Sequence, residues 1–363
     1  MKKLDKYLIS QFIISFMGSL VLLIGLYLIS IFIDNVKYFY HPNVPFGIIF
    51  LFIINIIPEI IVYVSPTSAL FATSFVFGNL NISNEIIAIY NGGISFIRLI
   101  LPLLIVGIIL SVLSLFFFEF VAADCSSRAF EIRNKIKKLT GKSLNYMYAQ
   151  SDYFLLGRDK TVYHIDSFSA DKGKIIRPLI SKFDKKGMLT FQLYAPWGRY
   201  DETEKIWNFK NAVVFHFNKK GKMQQERIDY YTLKLPESPA SFMKTARNVL
   251  QMRLQDAIKF IKEKKRDGGD YRKYLVEFQW RFAFPLSIVI IIFIGSLFGI
   301  YFRKAILVLS FFLSLLVSFS YYGILSLGLA FGKTGRINPY LAAWLANIIY
   351  LIICIIALKL KKV

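Results

Sequence analysis

Charged residues stranded in or beside long apolar stretches are the first chemistry this chain offers. Glu59 follows Pro58 inside a run of Ile, Val and Phe, Arg281 opens another such run in QWRFAFPLS, and Asp34 and Lys37 close the first one in FIDNVKYF. A charge in hydrocarbon is costly unless paired or hydrated, so each marks a polar cavity, an interhelical pair or a head-group contact. For Asp34 and Lys37, snorkelling to the interface stands beside a ligand role. Glu59 lies deeper, which favours a cavity or an interhelical pair.

Catalytic signatures are weaker. GLAFGKTG at 328 to 335 looks like a phosphate-binding loop, yet it is one residue short of G-x-x-x-x-G-K-[ST] and follows an apolar run instead of a β-strand. It reads as a glycine-rich turn that exposes Lys333 and Arg336 to lipid head groups. His41, His164 and His216 are scattered, with no H-E-x-x-H and no paired cysteine spacing, so no metal is expected. Asp124, Asp152 and Asp166 form no evident carboxylate pair, and Cys125 and Cys354 are too far apart in the pattern to suggest a disulfide framework. With no nucleophile motif, the chain is not expected to be an enzyme or to hold a cofactor.

The elements that position these residues follow from hydropathy. Apolar runs at 12–33, 46–77 and 97–120 precede a polar block, and runs at 282–300, 305–331 and 340–358 follow it. A bilayer core of about 30 Å needs about 20 apolar residues per helix, so each run can span it. The expected fold is an α-helical membrane protein of six transmembrane helices, three on each side of an inserted β domain. Its parts are 1–120, 121–278 and 279–363. Hydrophobic residues make up 55% of the chain, with 35 Phe, which excludes a soluble enzyme on a single anchor. The charge of +22 brings no zinc, helix-turn-helix or RNA-binding signature, so acidic lipid head groups, not nucleic acid, are the expected partners.

Short loops set the orientation. Lys2, Lys3, Lys6, Arg98, Arg303, Lys304, Lys359, Lys361 and Lys362 lie on the side of both termini, against Lys37, Lys333 and Arg336 on the other. The termini are therefore expected in the cytoplasm and the polar block outside, which is the periplasm in a bacterium with two membranes. The first run lacks a small-x-small cleavage site and is expected to remain as a span.

Within the second run, Pro58 and Pro66 suggest an interfacial helix at 46–57 and a main span at 58–77. After Gly78, NLNISNEIIAIYNGGIS predicts a short cytoplasmic helix near 83–91, capped by Ser83 or Asn84, with Glu85 in its first turn and Gly92-Gly93 ending it. Such a helix, pinned between two spans, can receive force from a soluble partner. In the polar block, TVYHIDSF, MLTFQLYA, AVVFHFN and RIDYYTLKL read as strands separated by DKG, DKKG and NKKG turns. From about 240 to 266, Leu250, Leu254, Ala257, Ile258 and Ile261 are spaced for one apolar helix face before Gly268-Gly269.

Four of these segments together resemble the LptF/LptG (YjgP/YjgQ) permease family of the lipopolysaccharide-exporting ABC transporter. They are FIDNVKYF at 32–39, PTSALFATSFVFGNLNISNEIIAIYNGGIS at 66–95, EFQWRFAFPLS at 277–287 and GKTGRINPYLAAWLANIIYL at 332–351. Their order fits nearly the whole chain. The resemblance implies an inner-membrane protein with six spans and a periplasmic β-jellyroll between the third and fourth. It also implies a homologous second six-helix permease and a cytoplasmic ABC ATPase dimer that uses the ATP, with no cofactor in this chain. Periplasmic jellyroll bridge and anchor proteins, and lipopolysaccharide or a related glycolipid, complete the implied partners.

In the family the short cytoplasmic helix docks in a groove of the ATPase with an acidic residue near its start. Glu85, flanked by Ser83 and Ile86, occupies that place, although a carboxylate there also suits the helix dipole unaided. The family's lipid contacts come from helices one, two and five, with basic residues at the outer end of the first. Lys37 matches one such position, while a neighbouring basic position is Tyr38 here. Asp34, Glu59, Arg281, Lys333 and Arg336 complete the candidate lipid contacts. FIDN looks like the LptG side and Pro58-Glu59 with GKTGRINP more like LptF, so both identities stay open. Two other readings remain: the same architecture exporting another glycolipid or a lipoprotein, and a membrane-anchored interaction protein that transports nothing.

Overall fold

Six helices carry the apolar runs and a β domain is inserted between the third and fourth of them. The computed structural model describes residues 3–140, 153–157, 160–169, 173–184, 187–217, 223–237, 249–266, 271–300 and 305–360. The turns at 171–172, 185–186 and 218–222, the start of the helix expected from 240, and Gly268-Gly269 lie outside the described residues.

Helices α1 (Lys3–Phe39) and α2 (Phe46–Ile82) have 37 residues each. At 1.5 Å per residue each is about 55 Å long and outreaches a hydrocarbon core. The break expected at Pro58 does not occur, and α2 passes through Pro58 and Pro66. A proline inside a helix withholds one N–H, but in a bundle neighbouring side chains can satisfy the backbone. Near Pro66, Ser65 Oγ donates to the Ile61 carbonyl and Tyr322 OH to the Tyr63 carbonyl.

After the short α3 (Glu85–Asn91), α4 (Phe96–Phe117) leads through a π-helical turn (Phe118–Ala122) into α5 (Ala123–Leu139). The helical rod thus runs on past residue 120, where the apolar run ends. Its reason is amphipathic: Ala129 and Ile136 pack with Phe39, Val44, Ile49 and Phe52 at the start of α2 and the end of α1.

Beyond the β domain come a 3-10 turn (Val249–Gln251), α6 (Leu254–Arg266), α7 (Arg272–Gly299), α8 (Ile306–Lys333) and α9 (Pro339–Leu360). The central helix is α7, with 67% of its apolar stretch buried against 22% to 33% for the other five spans. Glycine permits its close packing: a Cβ on Gly299 would stand 2.7 Å from the Ser74 carbonyl and 2.8 Å from Phe77 Cβ. Small residues at such contacts let helices approach where the lipid supplies no hydrophobic drive. By contrast α1 and α8 leave apolar stripes outward, among them Val21, Ile29, Ile33, Phe312, Leu316 and Phe319.

The β domain is one antiparallel sheet built from β1 (Tyr153–Leu156), β2 (Thr161–Ile165), β3 (Ser167–Ser169), β4 (Lys174–Ile176), β5 (Leu179–Phe183), β6 (Leu189–Tyr194), β7 (Trp197–Asp201), β8 (Ile206–Phe217) and β9 (Met223–Leu233). The order is β1-β2-β5-β6-β8-β7-β4-β3, with β9 on the other side of β8. TVYHIDSF, read as one strand, divides at Asp166 into β2 and β3, which join different wings of the sheet.

Strand β8 joins those wings, pairing with β7 over Ile206–Lys210 and with β6 over Val213–His216. Between the two halves stands Asn211 at φ 52°. Asparagine tolerates this left-handed conformation better than most residues. Its effect is a change of phase: Trp207 and Phe209 are buried before it, Ala212 and Val214 after it, all in one core. β9 keeps step, with Ile228 opposite Ala212 and Tyr231 opposite Phe209. The exit of the domain is fixed by Glu237, whose carboxylate accepts from Tyr163 OH and whose carbonyl accepts from Trp207 Nε1 at 3.0 Å.

Candidate functional site

Two ends of the bundle concentrate the polar side chains, and each is built from a different helix turn. At the end shared by the N-terminus, α2 closes at Ser83, whose Oγ donates to the Asn79 carbonyl at 3.0 Å. Ser83 therefore finishes α2 and does not cap α3. Asn84 holds the N-cap position of α3 at φ 57°, with no side-chain capping bond. The reversal seats Ile86, 3% exposed, in the core shared by α1, α2 and α4. Glu85 is half-buried and makes no hydrogen bond or ion pair among the described residues, while Ile82 and Ile87 beside it are exposed. After Gly93 at φ 75°, Ser95 accepts from the Arg98 N–H, and the Arg98 guanidinium meets Asp5 at 3.0 Å. That ion pair, absent from the sequence reading, ties the first turn of α1 to the elbow.

At the opposite end, next to the β domain, Asp34 and Lys37 are exposed in the last turns of α1. Glu59 is half-buried on α2 and acts electrostatically on Tyr27 and Tyr63, while Asp34 acts on Tyr27. Lys137 of α5 places its ammonium 5.8 Å from the centre of the Tyr38 ring, and Arg133 lies one turn away on the same helix. α5 therefore brings the Lys137 cation to the Tyr38 ring, with Arg133 close enough to act on Lys137 electrostatically. Helical spacing in 123–139 carried that signal, but it lay beyond the apolar run.

Arg281 faces inward. It is 3% exposed, and its Nη2 donates to the carbonyls of Val249 and Met252. Nη1 lies 3.6 Å from Glu119 in the π turn, and the Phe118 ring is 5.2 Å from the guanidinium carbon. Glu119 also accepts from the Leu254 N–H at 2.6 Å, and Arg253 meets Asp124 at 2.9 Å. The Asp124 pair holds the Arg253 guanidinium even more firmly protonated than usual, by hydrogen bond and charge.

Lys333 is drawn to Glu277 at 2.8 Å, and Arg336 is exposed with its guanidinium 5.9 Å from the Phe331 ring centre. The GKTG segment closes α8, with Thr334 Oγ1 donating to the Ala330 carbonyl at 3.1 Å. Phosphate loops present a helix N-terminus; a C-terminus carries the opposite partial charge. Among the described residues no group of His, Cys, Asp and Glu has the geometry of a metal site.

The structure thus sets Lys137 of α5 over Tyr38, the neighbour of Lys37, at one end with Glu59 deeper beside Tyr27 and Tyr63, places Glu85, Ser83 and Ile86 at the other end, and leaves Arg281 in the joint between bundle and β domain. No curated protein matches the chain. A family model described as lipopolysaccharide export system permease LptF/LptG matches residues 6–360, essentially the whole length, and the chain belongs to that family.

Proposed function

We propose that this chain is a permease subunit of an ABC transporter that extracts lipopolysaccharide from the inner membrane and passes it to a periplasmic β-jellyroll bridge. The observation that carries the reading is the family match over residues 6–360. In this reading the termini are cytoplasmic and the β domain periplasmic. The outward apolar stripes of α1 and α8 meet acyl chains and the homologous second permease. Lys37, with Arg133 and Lys137 from α5, offers cations to the phosphorylated sugars at the outer end of α1.

The chemistry of the subunit is mechanical. Glu85 is free of partners within the described chain and stands among exposed Ile82 and Ile87, a surface suited to a groove on a cytoplasmic ATPase dimer. Ile86 in the bundle core then carries the push into α1, α2 and α4. That push moves lipid toward the β domain, where β1, β3 and β9 each pair along one edge only among the described residues. An unpaired edge accepts another strand by β-augmentation.

The test is copurification of the tagged protein from its native host in mild detergent, with mass spectrometry of proteins and lipids. An ABC-type ATPase, a second six-span permease and a phosphorylated glycolipid are expected. A different bound lipid would move the substrate to another amphiphile, and recovery of neither protein would leave a solitary membrane adaptor.

A further inference from the structure

We propose that Arg281 is a positioning residue that fixes how the β domain is mounted on the helix bundle. The β domain is inserted, so two chain segments tether it: the outgoing α4, π turn and α5, and the incoming segment from Val249 into α6. Both tethers cross at Arg281. Its guanidinium takes the carbonyls of Val249 and Met252 on the incoming tether and faces Glu119 on the outgoing one. Glu119 closes the ring by accepting from the Leu254 N–H at 2.6 Å, and Arg253 meets Asp124 at 2.9 Å as a second tie between the same two segments.

The π turn makes this possible. Its extra residue changes the direction of Glu119 relative to an unbroken α-helix, and such single π turns mark functional positions in helices. The guanidinium fork reaches two carbonyls from one nitrogen, which a lysine ammonium at that place cannot reproduce in the same plane. Burial of a cation is offset only when its donors are satisfied. Among the described residues Nη2 carries both hydrogen bonds of the Arg281 guanidinium, while Nε and Nη1 have no hydrogen-bond partner. A joint of this kind sets the direction in which the β domain leaves the helix bundle. It rests on the transport reading only where lipid passage is measured.

The experiment uses the full chain in detergent with Cys125 and Cys354 replaced by Ser, spin labels at Asn43→Cys and Glu202→Cys, and the substitution Arg281→Lys. The expected result is a distance distribution that changes from narrow to broad. In the unlabelled protein, exchange of the Leu254 amide rises about tenfold, as for loss of a charge-assisted hydrogen bond. An unlabelled disulfide between Asp124→Cys and Arg253→Cys is expected to restore Leu254 protection in the Arg281→Lys background, and reduction to abolish it. Unchanged distances and exchange in Arg281→Lys would overturn the proposal, and so would exchange that the disulfide does not restore. If Arg281→Lys does not fold, Glu119→Gln opens the same ring from the other tether and is read in the same way. In the assembled transporter, lipid transfer falls with the loosening and returns with the disulfide. If the transport reading is wrong, no variant transfers lipid, wild type included, while distances and exchange still respond.

Discussion

Glu85 and Lys37 differ from Arg281 and Lys333 in a way that only partners reveal. From the sequence Lys37, Arg281 and Lys333 read alike as candidate lipid contacts at the ends of apolar runs, and Glu85 as the coupling residue of a short helix. Arg281 is enclosed by two carbonyls and Glu119, and Lys333 is drawn to Glu277, whereas Lys37 remains exposed and Glu85 makes no ion pair among the described residues. Charge reversal in Glu85→Lys is expected to leave ATP hydrolysis by the assembled complex while abolishing lipid export; wild-type export would remove Glu85 from coupling. Replacing Lys37 by Ala is expected to reduce photocrosslinking to lipid severalfold, and Arg133→Ala with Lys137→Ala to deepen the loss. Equal crosslinking in all of them would return Lys37 to a snorkelling role. In the β domain, Asp201 accepts from the N–H groups of Thr203 and Glu204, which hold its carboxyl below the usual carboxylate range. A lowered folded pKa contributes stability above the ordinary carboxylate value, and that contribution is lost as pH falls through the folded pKa. Asp201→Ala should therefore lower the unfolding temperature at neutral pH, with the gap to wild type closing in acid.

Elements that repeat one pattern for long enough were legible in the sequence, and joints were not. Six apolar runs gave six helices because length and hydrophobicity suffice to define a span. Pro58 reads as a break because sequence shows its missing N–H but not the tertiary packing that carries α2 through it, with Phe52 and Ile60 buried on either side. The π turn at Phe118–Ala122 had no signal, since its cause is the packing of Phe118 and the reach of Glu119 to residues more than a hundred positions later. Helix contacts through small residues belong to the same hidden class. Gly299→Val would drive side-chain atoms into the Ser74 carbonyl and Phe77, and overpacking of this kind costs about 1–3 kcal/mol. Thermal unfolding in detergent should show the loss; an unchanged midpoint would mean that α7 and α2 can separate without penalty.

For the whole molecule, strand β8 has a consequence in time. Its two halves are the only link in the described pairing between the wing β1-β2-β5-β6 and the wing β7-β4-β3. Ribosomes deliver β1 to β7 before β8, so for that interval the nascent chain holds two partial sheets whose inner edges, on β6 and β7, have no strand to pair with. Local hairpins such as β1 with β2 and β3 with β4 can form early, while the common core around Trp207, Phe209 and Val214 waits for residues 206–217 to arrive. Open edges of this kind are where partially folded chains aggregate. Biogenesis of the protein therefore contains a vulnerable window that ends only when Asn211 has turned and both wings have zipped onto one strand.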